Sequence, residues 1–208
     1  VRQQENRRVR SIIMKKVVKF GGSSLANAEQ FQKVGDIIRS EESRRYVVPS
    51  APGKRFSADT KVTDLLYACY DKAEEGVDFS DVLAEIKERF YEIIKGLNLD
   101  LSLEEEFKQI EADFKAQAGK EYAASRGEFL NGKVMAAYLG YEFIDSATVI
   151  RFDKNGNFDA DKTDRLLSKR LQKCERAVIP GFYGGMEDGT VQFQFLTQFK
   201  RIHQIAVV

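Results

Sequence analysis

The sequence predicts an α/β domain built on a mainly parallel sheet. Three observations carry this. Short apolar runs that end on glycine or proline alternate with helical stretches, the intervals suit crossover connections, and 208 residues suffice for one well-cored domain but hardly for two. Lys16 to Phe20 is the first run, closed by Gly21-Gly22-Ser23-Ser24. Asn27 then precedes a helical pattern at Phe31, Val34, Ile37 and Ile38, which reads as strand, glycine turn, helix. A second strand is expected over Arg45 to Val48, followed by Pro49-Ser50-Ala51-Pro52-Gly53, a polar loop, and a helix capped by Thr63-Asp64 and running through Tyr70.

The middle of the chain is helical. Val82, Leu83, Ile86, Phe90, Ile93 and Ile94 share one face, and Leu103, Phe107, Ile110 and Phe114 share another, so two antiparallel helices are expected on the core. A third helix is placed from Tyr122 to Leu139, before a strand over Tyr141 to Ile144. Asp153-Lys154-Asn155-Gly156-Asn157 is a hairpin-like turn signal. A helix over Lys162 to Gln172 then leads to a strand at Ala177 to Ile179, which ends on Pro180-Gly181-Phe182-Tyr183-Gly184-Gly185. No repeat or low-complexity segment interrupts this order.

Composition excludes several functions. Hydrophobic residues at 43%, charged residues at 31% and a net charge of +1 describe an ordinary soluble protein with no field to recruit nucleic acid. Cys69, Cys174 and the single His203 lack metal-ligand spacing, so no structural zinc site is expected. No apolar stretch is long enough for a membrane span or a signal peptide, and a reducing cytoplasm is the expected location. Residues 1–13 are basic and polar and are read as a disordered leader ahead of Met14; the rival, an organelle transit peptide, sits poorly with Glu5.

The chemistry is expected at the carboxyl ends of the strands. A glycine pair straight after a strand lets backbone N–H groups approach phosphate oxygens, although the pattern is neither G-x-x-x-x-G-K-[ST] nor G-x-G-x-x-G. Lys19, on what reads as an inner strand two residues before the glycines, is either an ammonium facing a transferred phosphoryl group or a solvated strand lysine. The loops P-S-A-P-G-K-R and P-G-F-Y-G-G either bind a small polar substrate on the same sheet edge or are simple tight turns. On spacing alone, Glu128 and Arg126 read as an outward surface pair.

Five segments in order resemble the aspartate kinases: K-F-G-G-S-S at 19–24, V-V-P-S-A-P-G-K-R at 47–55, K-V-T-D-L-L at 61–66, S-R-G-E-F-L-N at 125–131 and V-I-P-G-F-Y-G at 178–184. The first recurs across the amino-acid kinase superfamily, while V-T-D-L-L and S-R-G-E point to the aspartate kinase branch. The resemblance runs from Met14 to about Gly189. It implies a three-layer amino-acid-kinase or carbamate-kinase-like sandwich, and transfer of the ATP γ-phosphoryl to the side-chain carboxylate of L-aspartate, the first step of lysine, threonine and methionine synthesis. It also implies that Lys19 stabilises the phosphoryl in flight, that Gly21, Gly22 and Ser23 hold ATP phosphates, and that Ser50, Thr63 and Glu128 bind L-aspartate, with Glu128 receiving the α-amino group. Mg2+ is expected with the nucleotide, and a homo-oligomer is possible.

The match breaks after Val191. Where aspartate kinases continue with a segment close to S-R-G-G-S-D, residues 192–208 form a Phe- and Gln-rich tail with neither glycine nor aspartate. The arginine expected to clamp the aspartate carboxylate and the aspartate expected to organise the phosphoryl centre are therefore missing. The expected organisation is a leader (1–13), the substrate half of a C-terminally truncated kinase domain (14–191) and a divergent tail (192–208) from a frameshift or premature stop. Such a chain should be inactive or impaired. Val191, Phe193 and Phe195 alternate with Gln192 and Gln194, with Thr197 next in the series, which suggests a strand prone to self-association. Two alternatives stand beside this reading: another acyl-phosphate or carbamate kinase of the same fold, or a non-catalytic subunit that pairs with a complete kinase.

Overall fold

The computed structural model describes residues 15–193 and Ile202. The expected leader and, apart from Gln192, Phe193 and Ile202, the divergent tail lie outside these, as does His203. Strand β1 (Lys16–Phe20) passes through a 3-10 turn (Gly22–Leu25) into helix α1 (Ala28–Arg39). Asn27 caps α1, its side chain accepting from the Gln30 N–H at 3.0 Å. Strand β2 (Arg44–Pro49) leads through the 50–60 loop to α2 (Val62–Glu74), and α3 (Ser80–Gly96), α4 (Glu104–Lys115) and α5 (Lys120–Leu139) follow. The remainder is β3 (Glu142–Phe143), α6 (Ser146–Val149), α7 (Ala160–Leu171), β4 (Ala177–Val178), β5 (Tyr183–Gly185) and β6 (Val191–Phe193).

Four strands form one parallel sheet in the order β1-β2-β4-β3, and β5 pairs antiparallel with β6 in a separate two-stranded sheet. Period-2 alternation divides the main sheet's side chains between two cores. Val18, Val47, Phe143 and Val178 face the α1 to α5 layer, with Phe31, Leu66, Phe90, Phe114 and Leu130. Val17, Tyr46, Val48, Ile144, Ala177 and Ile179 face the opposite layer, with Val149 of α6 and Leu167 and Leu171 of α7. The three-layer arrangement is therefore present. The two mid-chain helices meet through a Phe90–Phe107 edge contact at 6.2 Å and a Lys87–Glu104 ion pair at 2.6 Å.

Several expectations need correction. β1 is an edge strand of the described sheet, because β2 takes the inner place between β1 and β4. α2 starts at Val62, with Lys61 at the N-cap making no side-chain cap bond. The Val62 N–H instead donates to the Pro52 carbonyl at 3.2 Å, so the loop satisfies the first N–H of the helix, and Thr63 lies inside it. Helix α6 was not foreseen; Asp145 caps it by accepting from the Ala147 N–H. The expected 153–157 turn is present, closed by the Asp153 N–H donating to the Asn157 carbonyl at 2.8 Å and flanked by a Phe152–Phe158 bridge.

Candidate active site

The carboxyl ends of β1, β2 and β4 bring three loops together, as parallel strands require. The β1 and β2 loops touch backbone to backbone. The Gly53 N–H donates to the Gly22 carbonyl at 2.8 Å, and the Ser50 N–H donates to the Phe20 carbonyl at 3.0 Å. A Cβ on Gly22 would stand 2.7 Å from the Ala51 carbonyl oxygen, and one on Gly53 would stand 2.6 Å from the Gly22 carbonyl carbon. Only glycine fits at either position. Gly21 by contrast is exposed, and a Cβ there would meet nothing within 4 Å. The backbone is thus open at Gly21, and Ser23 is likewise exposed.

Lys19 is exposed at the end of β1, with its Nζ 4.1 Å from the centre of the Phe182 ring. Phe182 lies in the loop after β4, with a left-handed φ of 69°, and its ring stacks on Phe193 at 5.9 Å. That loop is more than a tight turn. It carries the chain into the β5–β6 hairpin, and the Gly181 N–H reaches back to the Pro49 carbonyl.

α5 supplies the floor. It is buried around most of its circumference, and Gly127 lets it approach the 50–60 loop: a Cβ there would lie 2.7 Å from that of Ala51. The next residue, Glu128, is 4% exposed. Its Oε1 accepts from the Ala51 N–H at 3.2 Å, while its Oε2 is buried without a hydrogen-bond partner. Burial pushes its carboxyl up to about 7, against the pull of the Ala51 N–H, Arg126 and Lys19. One turn on, Asn131 donates from Nδ2 to the Ser50 carbonyl at 2.6 Å, and its Oδ1 is buried without a partner. Ser50 is itself buried, and Thr63 is half-buried in the first turn of α2.

The outward Glu128–Arg126 pair does not exist. Arg126 is buried too, its guanidinium 4.4 Å from the Tyr122 ring and 4.6 Å from that of Phe129, and its Nε donates to the Ser125 Oγ. α5 is a central helix with little solvated face, which removes the premise of a surface pair.

Of the sequence-predicted residues, Ser50 and Glu128 meet at the inner end of this cleft, bridged by Ala51 and Asn131. Lys19, Gly21 and Ser23 are exposed at and just after the end of β1, Gly22 packs against Ala51 and Gly53, and Thr63 is half-buried in the first turn of α2. Two further anchors were missed. Asn131 follows Glu128 by three residues on the same helix face, and Arg89 occupies a position of α3 that shares the buried stripe of Ile86, Phe90 and Ile93. That spacing was the available signal for each.

The amino acid kinase family model matches residues 14–197. The chain belongs to the amino acid kinase family. Over 190 residues this kinase-family chain is 35% identical to aspartokinase 3 of Bacillus subtilis, covering 85% of the chain and 42% of the relative. The crystal structure of Clostridium acetobutylicum aspartate kinase superposes with a TM-score of 0.83 at 46% identity, over 87% of this chain and 42% of that one. E. coli aspartokinase III in complex with aspartate and ADP shares the fold at a TM-score of 0.70 and 22% identity, over 85% of this chain and 42% of that one. The amino acid kinase chain thus spans about two fifths of the length of these relatives. Among the described residues no helix is long and apolar enough to cross a membrane.

Proposed function

We propose that this chain carries the amino-acid end of an aspartate kinase site, in which an L-aspartate side-chain carboxylate attacks the γ-phosphorus of ATP. The observation that carries the reading is the unpartnered, buried Oε2 of Glu128. A buried carboxylate oxygen without a donor is costly in the free protein and becomes favourable once an ammonium group reaches it. The α-amino group of L-aspartate supplies that charge, while Ser50, Asn131 and Thr63 offer polar groups around it.

In the proposed reaction a carboxylate oxygen of aspartate forms the new P–O bond and the bond from the γ-phosphorus to the β,γ-bridging oxygen breaks, leaving ADP and an acyl phosphate. The attacking carboxylate is already ionised at neutral pH, so no general base is required. Lys19 would neutralise charge on the transferring phosphoryl group, and the open backbone at Gly21, with Gly22 and Ser23, would face the phosphates. Mg2+ would supply further charge neutralisation there, held chiefly by the phosphates.

The test is ATP-dependent formation of an acyl phosphate from L-aspartate, trapped with hydroxylamine, alongside L-aspartate binding by the same preparation. Turnover that Lys19→Ala abolishes would assign the whole reaction to this chain. Binding without turnover is the outcome expected for a chain restricted to the amino-acid end, and absence of both would overturn the proposal.

A further inference from the structure

Arg89 is a buried cation in the middle of α3. It is 2% exposed. Its Nη2 donates to the Gly53 carbonyl at 2.7 Å, its Nη1 donates to the Thr60 carbonyl, and its guanidinium pairs with the Asp59 carboxylate at 3.4 Å. Asp59 is gripped from its other side by Arg55, which donates from Nε and Nη2 at 3.0 Å each and from its backbone N–H at 2.8 Å. Arg55 then returns to α3 through Glu92 at 3.0 Å. One guanidinium therefore ties the two ends of a loop that has no regular secondary structure of its own.

That loop places the groups nearest Glu128. Ala51 donates to Glu128, the Ser50 carbonyl accepts from Asn131, and Gly53 bonds the phosphate-facing glycine loop at Gly22. We propose that Arg89 is a positioning residue: by clamping the Gly53 and Thr60 carbonyls and Asp59, it holds the 50–60 loop so that the Ala51 N–H and Ser50 define the amino-acid end of the cleft. This rests on reading Glu128 as the receptor for the substrate's ammonium group. A Lys in its place would keep the charge but could not serve two carbonyls and a carboxylate in one plane.

The test compares Arg89→Lys and Asp59→Asn with Ile93→Val, a mild core change in the same helix. Amide exchange at Ala51, Gly53 and Val62 reads the clamp. The titration of the Glu128 carboxyl, followed by carbon NMR and assigned with Glu128→Gln, reads its effect on the site. Arg126, Lys19, Tyr67 and Tyr183 also act on that carboxyl and are unchanged in all three variants.

In both clamp variants, exchange at the three amides should rise at least about tenfold. The Glu128 midpoint should move by about half a unit or more, and L-aspartate should bind about fivefold more weakly. Ile93→Val should leave all three readouts near wild type. Unchanged exchange, or faster exchange with an unmoved Glu128 midpoint, overturns the proposal. If wild type binds no L-aspartate, the ligand assignment fails, while exchange and the Glu128 titration still decide the role of Arg89.

Discussion

Glu128 and Asp59 are carboxylates of similarly low exposure, 4% and 7%, one in α5 bonded to the 50–60 loop and one within that loop, and their environments push them in opposite directions. Asp59 is held by two arginines and the Arg55 N–H, and these partners keep its carboxyl far below the usual carboxylate range. Glu128 has one backbone donor and an empty oxygen, and burial lifts it to about 7. Low exposure is thus no guide to role: desolvation outweighs the donors at Glu128, and the donors outweigh desolvation at Asp59. The satisfied carboxylate anchors a loop, and the unsatisfied one leaves a valence for a ligand.

The contrast is most sharply broken by Asp59→Ala, which strands Arg89 in the core without its counter-charge. Urea unfolding at pH 7 should show a loss of about 3 kcal/mol. Because the Asp59 carboxyl is depressed in the fold, its contribution is complete above the ordinary carboxylate pKa and disappears only as pH falls through the depressed value. The variant and wild type should therefore converge only in strong acid.

Glu128→Gln should act with the opposite sign. Between the ordinary value of 4.5 and about 7 the folded state binds more protons than the unfolded one, so Glu128 makes stability fall as pH rises through that window. Gln keeps an acceptor for Ala51 and removes the penalty. The variant should gain about 2–3 kcal/mol over wild type at pH 8 and almost nothing below pH 4, read by urea unfolding at both values.

Smaller effects separate packing from charge. Gly127→Ala forces a methyl group against Ala51 and should cost about 1–2 kcal/mol while pushing the loop off Glu128. Lys19→Met should change stability by no more than about 0.5 kcal/mol, because what is lost is an exposed contact with Phe182 and the smallest of the attractions acting on the Glu128 carboxyl.

Sequence legibility divides along the same line. Periodicity located α1, α3 and α4, because an amphipathic helix advertises its buried face through its spacing, and an apolar run closed by glycines located β1. The glycines of K-F-G-G read as room for a ligand's approach, whereas at Gly22 the room is taken by the backbone of Ala51 and Gly53. What spacing did not disclose was how elements meet. Lys19 was placed on an inner strand because no local signal gives strand order. Glu128 and Arg126 read as a surface pair because an i, i+2 charge pair looks alike on an exposed helix and on a central one. Asp59, in a polar loop four residues after Arg55, gave no sign of its second partner, since Arg89 lies thirty residues away on α3.

The most direct measurement is calorimetric titration of L-aspartate into the wild-type chain and Glu128→Gln at pH 6 and pH 8. An ammonium ligand needs the ionised carboxylate, so wild type should bind about tenfold more tightly at pH 8 than at pH 6, and the variant should lose both the binding and its pH dependence. Equal binding by the two proteins, or wild-type binding that does not change across that interval, would contradict the account of Glu128 as the ligand's receptor.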